Sequence, residues 1–289
     1  MKIILSAEST VDLSKPLQKE FDVHIVPFTV VIGEEEKKDG EVKGEDLFAY
    51  TEKTGKLAHT SAINVGQYLD YFTDLLKDAD AIIHFSLSSK ITSATGNAIT
   101  AAKEVEEKTG KRVIVIDSLS LSTGIAIQVV YCRKLIDKGL PIDEIVSKVL
   151  ERRPYAQASF ALERVDYLYK GGRCSAAAKF FAGALGIKPQ ILVKDGAMVS
   201  GKKFMGKAAR WVPAYIDATL KQFDNWDPEI CFLTYTAIPE EVLQAAEKKL
   251  YEAGFKRVER TIAGATISCH CGPGTLGILY YNDGPHPLD

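Results

Sequence analysis

No apolar run in the 289 residues approaches the ~20 that a membrane-spanning helix needs, so no transmembrane segment is expected. Cysteine is scarce and odd in number: Cys132, Cys174, Cys231, Cys269 and Cys271 lie mostly far apart, a poor disulfide framework that fits a reducing compartment. The first residues lack a basic n-region, an apolar h-region and a small-residue cleavage site, and run straight into strand-like Ile3-Ile4-Leu5. The expectation is a cytoplasmic protein. A dominant charge is missing too. Net charge is −2 with no clustered basic stripe, which argues against a nucleic-acid partner, because neutralising phosphates calls for a concentrated Lys/Arg surface. Internal repeats, low-complexity stretches, a G-x-S-x-G elbow and an H-E-x-x-H motif are all absent.

What is present reads as a soluble globular chain, 46% hydrophobic and 26% charged, and its length favours two domains of about 150 residues each. Apolar segments at Ile3-Leu5, His24-Ile32, Ala81-Phe85 and Val113-Ile116 alternate with helical patterns near Glu45-Thr54, Val65-Leu76, Thr95-Lys108 and Ser122-Lys138. That alternation is the signature of a parallel sheet flanked by helices, a Rossmann-like α/β domain over residues 1–156. A helix over Ile142-Arg153 starts after Pro141 and stops before Pro154, which cannot continue it. Beyond it, over residues 157–289, the pattern turns α+β. Gln190-Lys194 and Ala197-Gly201 flank the two-residue turn Asp195-Gly196, and a helix over Glu240-Ala253 stands among strands at Ile230-Thr234, Arg257-Ile262 and Leu276-Tyr281. By periodicity Phe180, Phe181 and Leu185 belong to a core.

The densest chemical signal is Ser86-Leu87-Ser88-Ser89-Lys90-Ile91-Thr92-Ser93, five hydroxyls in eight positions between a strand and a helix. Free backbone N–H groups at a helix start, with hydroxyls beside them, can hold an anion, and such turns line the crevice of an open α/β sheet. One or two of these hydroxyls would serve as ordinary caps. Two other motifs are decoys. Gly201-Lys202-Lys203-Phe204-Met205-Gly206-Lys207-Ala208 nearly spells a phosphate loop, but Ala208 lacks the magnesium-binding hydroxyl and a hairpin precedes it. Gly272-Pro273-Gly274-Thr275-Leu276-Gly277 has dinucleotide-site glycines but leads into a strand, so no nicotinamide cofactor is expected. Cys269-His270-Cys271, read as strand, puts the two thiols on one side and His270 on the other; without further ligands at metal-site spacing, no metal is expected.

Several segments in order resemble the DegV family of bacterial fatty-acid-binding proteins. Glu8-Ser9-Thr10-Val11-Asp12-Leu13 is similar to the family's opening D-S-T-x-D-L, with Glu in place of the first Asp, while Ile25-Val26-Pro27-Phe28 and Asp39-Gly40 match the family's second strand and its hairpin-like extension. His59-Thr60-Ser61-Ala62 resembles T-S-Q-P-S, with Ala62 and Asn64 departing from Gln and Ser. Ser88-Ser89-Lys90-Ile91-Thr92-Ser93-Ala94 resembles S-S-x-L-S-G-T, with Ser93-Ala94 in place of Gly-Thr. Ile116-Asp117-Ser118, Leu168-Tyr169-Lys170-Gly171-Gly172-Arg173, Ile187-Lys188-Pro189 and His270-Cys271-Gly272-Pro273-Gly274 complete the series.

The resemblance implies a two-domain protein with one long-chain fatty acid at the domain interface and no other cofactor. Its tail would lie in an apolar tunnel, and its carboxylate would meet Thr60, Ser61, Ser88, Thr92, Ser93 and His270. It further implies a FakB-like carrier without its own catalytic centre, which presents the carboxylate to a separate ATP-binding FakA-like kinase subunit for acyl-phosphate formation ahead of phospholipid synthesis. Arg173 is then either a contact to that kinase or an exposed ion-pairing arginine. The rival reading is an autonomous Ser/His hydrolase or small-molecule phosphotransferase using the same cleft.

Overall fold

The computed structural model describes residues 1–174 and 186–286. The first part runs β1 (Ile3–Glu8), α1 (Lys15–Glu20), β2 (Val23–Val26), β3 (Thr29–Ile32), β4 (Glu35–Lys38), α2 (Gly44–Thr54), β5 (His59–Ser61), α3 (Val65–Leu75), β6 (Ala81–Ser86), α4 (Ala94–Thr109), β7 (Arg112–Asp117), α5 (Thr123–Asp137) and α6 (Ile142–Arg152). The second runs β8 (Ala156–Ala161), α7 (Asp166–Lys170), β9 (Ile187–Lys194), β10 (Ala197–Met205), α8 (Ala208–Gln222), β11 (Cys231–Tyr235), α9 (Glu240–Glu252), β12 (Val258–Ile262), α10 (Ala265–Cys271) and β13 (Leu276–Tyr281). Phe180, Phe181 and Leu185 lie outside the described residues.

Strands β2-β1-β6-β7 form an all-parallel sheet, the doubly wound architecture that the apolar alternation predicts. Strand order reverses between β1 and β6, so the crevice of this sheet opens at the ends of those two strands, beside Glu8 and Ser86. The second sheet has the order β10-β9-β8-β13-β11-β12 and is antiparallel except for β11 beside β12. The Asp195-Gly196 turn joins β9 to β10 as read from sequence, both residues holding positive φ. Helix α5 packs against β1 and β6 of the first sheet and β8, β11 and β13 of the second. Its residues Thr123 to Cys132 are all buried, which suits a segment apolar all round. One continuous core accordingly holds Ile82 and Ile83 together with Phe160 and Leu279.

Two expectations are corrected. The segment His24-Ile32 is two strands in different sheets: β2 ends at Val26, and β3 joins a small antiparallel sheet of order β4-β3-β5. Pro27 between them has no N–H to continue a ladder. Cys269-His270-Cys271 ends a helix, α10, rather than lying on a strand. The local sequence, rich in β-branched and small polar residues, is a poor helix former, and the groups that cap α10 come from Asp12 and Asp39, far away in the chain. No helix among the described residues is long and apolar enough to cross a membrane, and no cluster of three or more His, Cys, Asp or Glu among them is placed to hold a metal ion.

Candidate functional site

At the crevice of the parallel sheet, Glu8 and Ser86 do not reach outward. Glu8 is fully buried and accepts from Tyr68 Oη, from Ser86 Oγ at 2.6 Å and from the Leu87 N–H at 2.8 Å. A buried carboxylate is costly without donors, and here four, with Thr10 Oγ1 at 3.4 Å the longest, supply what water would. The result is a fixed Leu87 at the start of the hydroxyl-rich loop. Ser88 is equally committed: buried, it donates to the Gly196 carbonyl at 2.8 Å and so ties the loop to the β9–β10 turn, 108 residues on. Thr92 Oγ1 accepts from the Ala94 N–H at 3.1 Å, a local hydroxyl turn just before α4 rather than the N-cap foreseen for part of the loop. Ser93, at the N-cap position of α4, makes no capping bond with its side chain and stands exposed.

Beside this loop lies a cavity of about 330 Å³. Its depth is apolar, walled by buried Phe28, Leu87, Leu121, Leu168, Met198 and Cys271. Its rim is polar: Thr60, Ser89, Lys90, Thr92, Ser93, Arg173 and His270. Leu121, Ile267 and Cys271 also line a second, narrow space of about 20 Å³ that runs on toward Phe160 and Leu279 of the six-stranded sheet. Of the residues singled out from sequence, Thr60, Thr92, Ser93, Arg173 and His270 come together at this rim. Ser61 and Ser88 do not. On β5 alternate side chains face opposite ways, so Thr60 and Ala62 turn to the cavity and Ser61 to solvent, while Ser88 is spent on Gly196.

The rim joins the two ends of the chain. Thr60 Oγ1 and His270 Nε2 are hydrogen-bonded at 2.9 Å. His270 Nδ1 is buried, without a partner among the described residues, against Gly171, where a Cβ would come within 2.6 Å of it. That close approach is why the Lys170-Gly171-Gly172-Arg173 turn needs a glycine at 171; Gly172 is needed for its φ of +69°. Burial, and then the Arg173 charge, push the His270 imidazole down to about 4, so the ring is neutral at pH 7. Arg173 itself is exposed, with one guanidinium N–H donating to the Gly171 carbonyl at 2.7 Å. Lys90, Leu121, Met198 and Ile267 were not legible as site residues. Met198 reaches the cavity only because β10 folds back over the loop, and Ile267 only because its segment is helical.

A family model described as "Uncharacterised protein, DegV family" matches residues 2–283. A DegV domain-containing protein of Caldanaerobacter subterraneus subsp. tengcongensis is 30% identical over 283 residues, spanning 96% of this chain and 98% of its own. A structure reporting fatty acid binding of a DegV family protein from Thermus thermophilus matches with a TM-score of 0.89 at 23% identity, over 98% of this chain and all of the other. The fatty acid kinase (Fak) B3 protein of Streptococcus pneumoniae, loaded with linoleic acid, matches with a TM-score of 0.85 at 20% identity, over 98% of this chain and all of its own.

Proposed function

The chain belongs to the DegV family, and from that premise we propose that it carries one long-chain fatty acid between the halves on either side of residue 156. The observation that carries this reading is the cavity's polarity, with apolar walls in the depth and a rim of hydroxyls, imidazole and guanidinium. A fatty acid has the same division. At about 0.8 kcal/mol per CH₂, a tail of about sixteen carbons gains on the order of 10 kcal/mol before the costs of association. Thr60, Thr92, Ser93 and His270 supply donors that hold the carboxylate in register, and a neutral His270 can donate without leaving a charged ring in the wall. The Thermus and Streptococcus relatives, whose folds this chain shares, bind fatty acids.

In the finer reading the protein is a carrier subunit for a separate kinase, as the likeness to Fak B3 suggests. Arg173 supports it: an exposed five-donor cation with most of its donors free among the described residues, at the rim where a phosphorylated carboxylate would emerge. The geometry favours a carrier over a hydrolase. A histidine acting as general base is oriented by a partner on its other ring nitrogen, and among the described residues His270 Nδ1 has none. Mass spectrometry of the purified protein, native and then denatured, tests the reading. A fatty acid released on denaturation supports it, and ligand-free protein that takes up no member of a fatty acid panel overturns it. For the kinase half, ATP-dependent acyl-phosphate formation is measured with a FakA-type subunit added, and its absence refutes that half alone.

A further inference from the structure

Helix α10 supplies Thr266, Ile267, His270 and Cys271 to the cavity, yet at seven residues it is too short to hold its own orientation. Its first three N–H groups are taken up by two carboxylates from the other half of the chain. Asp12 Oδ1 accepts from Gly264 at 2.8 Å; Asp39 Oδ1 accepts from Ala265 at 2.9 Å and Asp39 Oδ2 from Thr266 at 3.3 Å. Room for both exists because residue 264 is glycine, where a Cβ would stand 3.0 Å from Asp12 Oδ1 and 3.2 Å from Asp39 Oδ1. Asp39 also holds the opposite wall. Its N–H donates to the Phe28 carbonyl at 2.8 Å, and Ser9 Oγ, which accepts from the Phe28 N–H at 3.1 Å, donates to Asp39 Oδ2 at 2.9 Å. Phe28 lines the cavity.

A helix start needs one acceptor, and one neutral side chain normally suffices. Here two acids crowd one buried helix end, and the Asp39 charge helps to raise the Asp12 carboxyl. Carboxyls perturbed in this way concentrate at functional sites. We infer that Asp39, assisted by Asp12, is a positioning residue for the ligand headgroup, acting through α10 to set His270 against Thr60 and through Phe28 to set the facing wall. The inference rests on the fatty-acid reading above and adds to it two residues that need never touch the ligand.

The two acids differ in a way that makes the test sharp. An amide at 12 keeps an acceptor for Gly264 and turns an N–H toward Ser122 Oγ, which can accept. An amide at 39 faces three donors, Ala265 N, Thr266 N and Ser9 Oγ, and must present its NH₂ to at least one of them. The experiment measures the affinity of wild type, Asp12→Asn and Asp39→Asn for hexadecanoic acid and for its methyl ester, with the His270 ring nitrogens monitored by NMR. Asp39→Asn should lose about tenfold in preference for the acid over the ester and shift the His270 signals, with ester binding little changed. Asp12→Asn should keep both. General loosening of the fold would instead weaken acid and ester alike. If Asp39→Asn does not fold, Gly264→Ala gives the same readout, since the φ of −61° accepts alanine while its Cβ presses on both carboxylates. A folded Asp39→Asn or Gly264→Ala protein with wild-type preference and unshifted His270 signals overturns the inference. Wild type that binds neither probe overturns the carrier reading, and the inference with it.

Discussion

Replacing Asp12 with asparagine should change how stability depends on pH. Asp12 is 5% exposed, and burial pushes its carboxyl from an ordinary 3.8 up to about 8; the Ser122 hydroxyl and the Gly264 N–H pull against that rise and the Asp39 charge adds to it. An acid whose folded pKa lies above its unfolded one binds more protons when folded, so its contribution is full below about pH 4 and is lost as pH rises through about 8. Worked through linkage, that loss amounts to about 4 kcal/mol between about pH 5 and pH 9. Denaturant unfolding of wild type and Asp12→Asn across that range isolates this group, because every other titration is common to both. The wild-type stability should fall relative to the variant by that amount, with most of the fall below pH 8. Parallel curves, or a variant that loses more than the wild type on going alkaline, would refute the account of a buried, proton-bearing carboxyl at the head of α10.

Thr60→Val removes the hydroxyl bonded to His270 Nε2 and should weaken fatty acid binding by about tenfold in a displacement assay, with no loss for a methyl ester. The His270 ring, pushed down to about 4, should show no titration by NMR between about pH 5.5 and pH 8; because its folded pKa is depressed, its stabilising contribution is present above the unfolded value near 6.5 and drains away as pH falls toward 4. Arg152→Ala strands Asp227 and Asp283 in the interior and strips a guanidinium from between Tyr131 and Tyr281, which should cost about 3–5 kcal/mol in chemical denaturation. Leu121→Phe fills the passage between the main cavity and the narrow space beyond it, and the acids that co-purify should become shorter by mass spectrometry.

The parallel sheet was legible because β1, β6 and β7 are apolar runs between helix-period segments, and α6 because prolines stand at both ends. The β4 strand was not legible from its pattern, since Glu35-Glu36-Lys37-Lys38 carries no apolar face; it pairs with β3 at the edge of a small sheet. Among the hydroxyls of the Ser86–Ser93 loop, composition pointed to where the cavity lies but not to which members line it. Ser86 goes to Glu8 and Ser88 to Gly196 through partners 78 and 108 residues distant, choices that no local pattern records. The same holds for α10. Its residues favour extended backbone, and remote acids overrule them.

The Thr60–His270 bond spans 210 positions, so the pocket closes only after translation has passed residue 270. The strands of the parallel sheet are all made by Asp117, whereas α5, which packs on β1 and β6 and also on the second sheet, follows them. A chain cut short between these points would leave its crevice open and the apolar wall beside it bare. On the carrier reading, loading then waits for residue 270, and a copy that stops before it would leave Phe28 and Leu87 uncovered.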